Sequence, residues 1–362
     1  MKIGWRGALG FALSALLLWW TLRGVHLADV WRELSGANLP LLLLSAVAAT
    51  AIFPLRARRW RAILHPVAPD LPFGMLWRST AIGMMVNNVV PARAGEIARA
   101  YALTRETPKV SFSAAFASLA VDRLFDAVVV LALMFLAMLD PRFPRGTAAG
   151  DMVANWAGTG TIFLAVLVSA LYLLVFFPAR IIGLYEAFAR RVAPRLEARG
   201  REVLSAFAAG LGVLRHPARF AEVLFWTIVH WLTNALAFWI AFKALAMTTA
   251  GFGAALFLQG LISVGVALPS SPGFFGVFEA AARTGLTVYG VDSTQATSWA
   301  IGFHLLSFIP ITVMGAIYFT RLGLHFGEIA GAAEGEADGD SDNAGGPAPV
   351  ATSAPRRSKG AA

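Results

Sequence analysis

The chain has 362 residues, of which 57% are hydrophobic and 14% charged, with a net charge of +9 and a mean hydropathy of +0.65. A soluble domain has too much surface to carry that balance, and no period-two alternation points to a β-barrel, so the composition gives an all-α polytopic membrane protein. No cysteine is present, which removes disulfides, iron–sulfur clusters and thiol chemistry. The arginine excess is read as membrane topology and contact with anionic lipid, not nucleic acid.

Eight apolar segments follow in chain order, over residues 7–23, 38–57, 74–90, 111–139, 153–177, 220–245, 252–268 and 293–320. The first is read as an uncleaved helix. Arg56, Arg58, Arg59 and Arg61 follow the second segment. A longer arginine-rich stretch, 178–219, reads as an amphipathic segment on the inner leaflet. From Glu328 onward the chain is mostly Gly, Ala, Asp, Glu, Pro and Ser without an apolar face, and 326–362 is expected to be a disordered cytoplasmic tail.

If all eight segments cross, the two basic regions fall on opposite sides, against the positive-inside rule. The conflict disappears if 74–109 and 252–291 are re-entrant helical hairpins that turn at Pro91–Gly95 and near Leu268–Gly273. The expectation is therefore about six full spans plus two re-entrant hairpins, with both termini cytoplasmic in the cell (inner) membrane. The transmembrane domain covers 1–325, with halves of about 1–140 and 150–325. Each half reads span, span, hairpin, span, with opposite starting sides, which is an inverted-repeat layout.

The turns carry the candidate site. Pro91, Pro269 and Pro272 break helices, and Gly95, Gly273 and Gly276 permit tight turns. A helix begins after each turn, and two helix starts aimed at the midplane make an anion site. Arg93 needs a partner at membrane depth, and a lipid phosphate fits its fork. Asn87, Asn88, Ser270 and Ser271 add neutral donors and acceptors. Glu96 and Arg99, like Glu279 and Arg283, have the spacing of ordinary helix pairs. Asp122, Arg123 and Asp126 form an intramembrane charge network that reads as a structural knot. His230, His304 and Lys243 read as packed or snorkelling groups. No P-loop, metal-binding cluster or nucleophile elbow occurs, so neither a cofactor nor an ATPase or synthase activity is expected.

"LRARRWRAIL", "NNVVPARAGEIARAYAL", "VDRLFDAVVVL" and "ALPSSPGFFGVFEAA" together resemble, over about residues 10–325, the signatures of the lysylphosphatidylglycerol synthase transmembrane (flippase-like) family. The resemblance implies a membrane protein that moves lipids or lipid-linked head groups between leaflets. In the best-known relatives this module flips aminoacyl-phosphatidylglycerol made by a fused synthase. Others accompany glycolipid, polyprenyl-phosphate or hopanoid pathways. Only a short tail follows Arg321, so a separate lipid-synthesising enzyme is the expected partner and an anionic phospholipid or lipid-linked molecule the expected substrate. The resemblance carries substrate contact to Asn88, Arg93, Glu96, Arg99, Ser271 and Glu279, and the turns to Pro91, Gly95, Pro269, Pro272, Gly273 and Gly276. Two alternatives stay open: a small-solute or ion transporter on the same scaffold, and a non-catalytic membrane subunit of a lipid-modifying enzyme. Glu96 and Glu279 are candidates for carrying a coupled proton.

Overall fold

A computed structural model describes residues 5–90, 94–141, 143–145, 176–192, 216–267 and 270–329, with residue 331 and short stretches between 151 and 205. Pro91, Arg93 and Pro269 lie outside the described residues, as do most of 153–177, most of 193–215 and the tail from 332. Among the described residues the chain is all-helical, without strands. The first helices are α1 (Trp5–Leu22) and α2 (Leu27–Ser35). They are followed by α3 (Leu39–Leu64), α4 (Phe73–Val89), α5 (Gly95–Glu106) and α6 (Phe112–Leu139). Later come α7 (Pro178–Val192), α8 (Pro217–Ala244) and α9 (Phe252–Ala267). A 3-10 turn (Pro272–Phe274) leads to α10 (Val277–Val288) and α11 (Ser293–Arg321). A second compact unit begins at His325.

By length and composition three described helices can cross a bilayer: α3, α8 and α11. A fourth span results if the pair Phe11–Leu22 and Leu27–Ser35, bent by 76°, counts as one. Helix α6 has 28 residues but carries Asp122, Arg123 and Asp126 in its middle. Caps set the starts. The Asn38 side chain accepts from Leu41 N–H at the head of α3, Ser111 from Ala114 N–H at α6, and Asp292 from Thr294 N–H at α11. Each satisfies a donor that the helix leaves orphaned.

One expectation about α3 needs correcting. The helix does not end at 57 but runs to Leu64, so its arginines lie within it. Arg56, Arg59, Trp60 and Ile63 are buried, while Arg58 and Arg61 are half-buried. Steps of three and four residues put the first group on one helical face, and that face turns inward.

Helices α3 and α8 run antiparallel along their length. Ser45 Oγ donates to Ala237 O at 2.8 Å near one end, and Arg219 meets His65 at 2.8 Å at the other. Helix α4 lies antiparallel to α11, with Trp77 Nε1 donating to Tyr318 Oη at 3.1 Å and Asn88 Nδ2 to Thr312 Oγ1 at 2.6 Å. Helix α6 packs on α9, where Gly260 sits against Met134. Helices α4 and α5 close into one hairpin, with Gly83 against Gly95 and Arg99, and α9 and α10 into another, with Gly285 against Leu258 and Leu261.

These contacts fix the direction of each hairpin. The base of α4–α5, tied by Arg78 Nε to Glu106 Oε2 at 3.0 Å, adjoins the end of α3 and the start of α6, where Trp60 Nε1 donates to Ser118 Oγ at 2.7 Å. The base of α9–α10 lies at the other end of the bundle. There Asn38 N–H donates to Ala244 O at 2.8 Å, Gln295 Nε2 donates to Leu245 O at 3.1 Å, and Phe143 packs on Tyr289 with ring centroids 5.8 Å apart. The hairpins thus open toward opposite ends, and the end of α4 meets the second turn inside: a side-chain carbon added at Gly273 would lie 3.3 Å from Asn88 O.

Candidate functional site

A cavity of about 230 Å³ lies where the end of α4 meets the second turn. Its polar wall includes Arg56 from α3, Asn88 from α4, Arg123 and Asp126 from α6, His230 and Asn234 from α8, and Gln259 from α9. Facing them are Phe274, Phe278, Phe303, His304 and Phe308. The lining thus combines charged and amide groups with aromatic rings.

Behind the polar wall is an ion-pair cluster. Arg59 Nε donates to Asp122 Oδ1 and Nη1 to Asp126 Oδ1, both at 2.6 Å. Arg99 Nη1 donates to Asp122 Oδ2 at 3.2 Å, and its guanidinium lies 4.1 Å from the centre of the Trp60 ring. Trp231 Nε1 donates to Asp126 Oδ1 at 2.9 Å. Arg123 pairs with Glu96 and lies 3.7 Å from Asp126 Oδ2. Arg56 is 3.6 Å from Asp122 Oδ2 and 3.8 Å from Asp126 Oδ2. Four guanidinium groups face three carboxylates here among the described residues, which leaves one positive charge over. Buried charge at this density persists only when each carboxylate is met from several sides, and Asp122 and Asp126 are.

The expected residues other than Pro91, Arg93 and Pro269, which lie outside the described residues, have these places. Asn88 is on the cavity wall. Asn87 stands behind it: its Oδ1 accepts from Gly95 N–H at 2.9 Å and its Nδ2 donates to Glu96 Oε2 at 3.4 Å. Glu96 and Arg99 do not pair with each other; they go to Arg123 and Asp122 on α6. In the second turn, Ser271 N–H donates to Ser14 Oγ at 2.8 Å and Ser271 Oγ to Phe275 O at 3.1 Å, which ties the turn to α1. Ser270 is half-buried beside it. Pro272 opens the 3-10 turn. Gly273 and Gly276 have φ of 67° and 84°, conformations that a side chain strains, and a Cβ at Gly276 would collide with Ser14 O.

Glu279 and Arg283 also part company. Glu279 Oε2 accepts from Gly276 N–H at 2.6 Å and caps its own helix, while Oε1 meets His304 Nδ1 at 2.6 Å. Arg283 instead donates to the carbonyls of Trp20 and Thr21 at 3.0 and 2.6 Å and so caps the end of α1. The starts of both second arms, read from sequence as open anion sites, therefore each spend an N–H on the protein: Gly95 on Asn87 and Gly276 on Glu279.

The strings at these turns are also where the chain is similar to known proteins. Residues 7–315 match the family model described as "Lysylphosphatidylglycerol synthase TM region". The chain belongs to that family. A relative of this TM region is a UPF0104 membrane protein of Pyrococcus horikoshii, 23% identical over 85% of this chain and 94% of the relative. Another, of Methanothermobacter thermautotrophicus, is 22% identical over 85% of this chain and 91% of its own length. A third is the glycosyltransferase AglD of Haloferax volcanii, 30% identical over 44% of this chain, a match spanning only 25% of AglD. No solved structure matches the chain significantly.

Sequence reasoning did not place Arg56, Arg59, His230, Gln259 or His304 at the site of this TM region. The arginines looked like a positive loop because four of them fall within six residues. A signal was present: 56, 59, 60 and 63 share a helical face. The histidines are single residues on apolar helices, and only the packing of α8 and α11 brings them to the cavity.

Proposed function

We propose that this chain translocates lipids, or lipid-linked head groups, between the leaflets of the cell membrane. In this reading it has about six spans, with two inverted halves each contributing a re-entrant hairpin, and both termini are cytoplasmic. The observation that carries the reading is the meeting of the two hairpins at one amphipathic cavity. The arms are short. At 1.5 Å per residue, α5 and α10, with 12 residues each, reach about 18 Å, against a hydrocarbon core of about 30 Å. Arms of that length end at mid-depth. Irregular backbone is tolerated there only against protein or a wet cavity. The packing pairs α4–α11 and α6–α9 support the inverted layout, since each hairpin's first arm lies on the other half's last helix.

A lipid also needs room for its tails. An apolar groove of about 460 Å³ runs outside α3, α4 and α11, lined by Val47, Thr50, Pro54, Trp77, Pro310 and Met314. Phe53 and Ile311, the chain neighbours of Pro54 and Pro310, line the central cavity. The partition between groove and cavity is thus one residue thick on each helix. Both helices carry their proline at this level, where the missing hydrogen bond softens the backbone. A small-solute transporter would need no such groove.

The test is reconstitution into vesicles with labelled lipids of several head groups, scored by outer-leaflet accessibility. The wild type is expected to move at least one lipid class faster than empty vesicles do. Ser263→Trp, which fills the cavity, is expected to abolish that excess. The reading fails if no lipid moves faster than in empty vesicles. The partial similarity to a glycosyltransferase favours a second reading, the membrane subunit of a head-group transferase. It predicts turnover when purified protein is given lipid and an activated sugar donor.

A further inference from the structure

We infer that the cavity binds a phosphoryl oxyanion on the buried, unpaired edge of Arg56, with Gln259 and His230 as further donors. This rests on the reading of the cavity as a lipid head-group site and names the chemistry it would hold. Arg56 is 7% exposed and lines the cavity. Its Nη1 is turned to Met84 Sδ at 3.7 Å. Its Nε and Nη2 have no hydrogen-bond partner among the described residues. Those two groups form one side of the planar guanidinium and donate in the same direction, the arrangement that takes two oxygens of one oxyanion. The nearest carboxylate oxygens to Nη2, at 3.6 and 3.8 Å, are beyond hydrogen-bond reach.

Arg59 gives the contrast on the same face of α3. Its Nε and Nη1 both donate at 2.6 Å, so it is consumed by the protein. Arg56 is not.

Two more groups on the cavity wall are buried and unfilled. Gln259, 1% exposed, accepts from Asn234 Nδ2 on Oε1 at 3.2 Å, and its Nε2 has no partner among the described residues. His230, 4% exposed, leaves Nδ1 without one, and that atom donates in the tautomer that carries its proton there. A buried donor left unpaired is costly, so three such side chains around one cavity mark a place for an acceptor. They come from α3, α8 and α9. Donors arriving from three helices suit the oxygens of a tetrahedral group better than a flat carboxylate.

Among the described residues the cluster behind them sets four guanidinium groups against three carboxylates, which favours an anion. Asp126 is also on this wall. Its Oδ1 is taken by Arg59 and Trp231, and its Oδ2 is flanked by Arg56 and Arg123, which leaves the Arg56 edge as the anion side. A cavity of about 230 Å³ is smaller than the roughly 300–1,000 Å³ of sites for drug-sized ligands. It has room for a phosphate and a small head group, with the tails outside.

The experiment uses the full chain in detergent and measures binding of inorganic phosphate, a short-chain phosphatidylglycerol, and a short-chain diacylglycerol without phosphate. Phosphatidylglycerol is expected to bind, inorganic phosphate to bind more weakly, and diacylglycerol not to compete. Arg56→Gln is expected to weaken phosphatidylglycerol binding at least about tenfold, and Gln259→Leu about threefold, by loss of a charged and a neutral donor. Arg58→Gln, on the adjacent face over Trp226, is expected to leave it unchanged. Should Arg56→Gln fail to fold, Arg56→Lys keeps the charge without the paired edge and Gln259→Leu keeps the charge cluster whole; both are expected to weaken binding. Equal binding of diacylglycerol and phosphatidylglycerol overturns the inference, as do folded Arg56 and Gln259 variants that bind as the wild type does. Inorganic phosphate binding as tightly as the lipid would assign the site to the free ion. Vesicle transport of a phosphate-free lipid, with no phosphate-bearing lipid moved, would leave translocation standing and sink this site. Phosphate-dependent binding without any transport would do the reverse.

Discussion

The two hairpins share a plan and differ in what holds their turns. Around the first, polar groups are spent on charge: Asn87 reaches Gly95 and Glu96, Glu96 reaches Arg123, and Arg99 reaches Asp122. Around the second, the turn is held by close packing and rings. Gly276 presses on the backbone of α1, and His304 lies between Phe275 and Phe278 at centroid distances of 4.7 and 4.4 Å while meeting Glu279. Between a first hairpin fixed by ion pairs and a second fixed by shape, charged and amide groups and aromatic rings line the same cavity. A phospholipid has that same polarity, with an anionic head next to hydrocarbon.

The comparison breaks most visibly at Arg59. It is fully buried and meets both carboxylates of α6, so Arg59→Met leaves Asp122 and Asp126 short of charge. The expected loss is about 3–5 kcal/mol, read as a lower unfolding temperature in detergent. Adding Asp126→Asn to the same variant is expected to recover part of it, because three guanidinium groups then face two carboxylates, Asp122 and Glu96, which restores the single positive excess of the wild type. If Arg59→Met alone unfolds as the wild type does, the first hairpin is not held by charge.

On the second hairpin the corresponding probe is steric. Gly276→Ala places a methyl group against Ser14 O at a φ of 84°. The expected cost is about 2–4 kcal/mol from overpacking and left-handed backbone strain. Unlike the Arg59 loss, it is expected to be insensitive to the charge state of α6, so combining Gly276→Ala with Asp122→Asn should give additive effects.

The plan of these hairpins was legible in sequence, and their internal wiring was not. Proline and glycine within apolar runs, together with the sidedness of arginine, pointed to two breaks and to their opposite approach. Those are local signals. The partners of Glu279 and Arg283 were misread because a four-residue spacing predicts a helix pair, whereas tertiary packing offers each a better site. Arg283 satisfies carbonyls that α1 leaves open at its end, and Glu279 satisfies an N–H at its own helix start. Arg56 was misread for a related reason. An arginine near the end of an apolar run is normally a topology marker, and only the continuation of α3 to Leu64 makes it a wall of the cavity. The ordering of charged and neutral donors across α3, α8 and α9 is a property of how three helices pack, and no single stretch of sequence contains it.

Sidedness separates the hairpins without disturbing either. The chain has no native thiol, so single cysteines report cleanly. Lys109→Cys, exposed at the open end of the first hairpin, and Thr287→Cys, exposed at that of the second, are expected to react with an impermeant reagent from opposite sides of the membrane. Labelling of both from the same side would remove the inverted arrangement, whatever the cavity binds.

The smallest expected effect lies in the caps. The first hairpin's cap crosses between arms, from Asn87 on α4 to Gly95 on α5, while the second is local to α10, from Glu279 to Gly276. Asn87→Ala therefore removes a tie between arms and leaves a buried N–H without its acceptor, at a cost of about 1 kcal/mol. Glu279→Gln keeps an oxygen for Gly276 and costs less at the cap, its main loss being the contact of Oε1 with His304. Hydrogen exchange at residues 95–99 distinguishes the two. It is expected to quicken in Asn87→Ala, and to stay at the wild-type rate in Glu279→Gln, since nothing in the second cap touches the arms of the first. Equal quickening in both would mean that the hairpins, which meet at Asn88 and Gly273, open as one unit, and the contrast between a charge-held and a shape-held hairpin would then lose its physical basis.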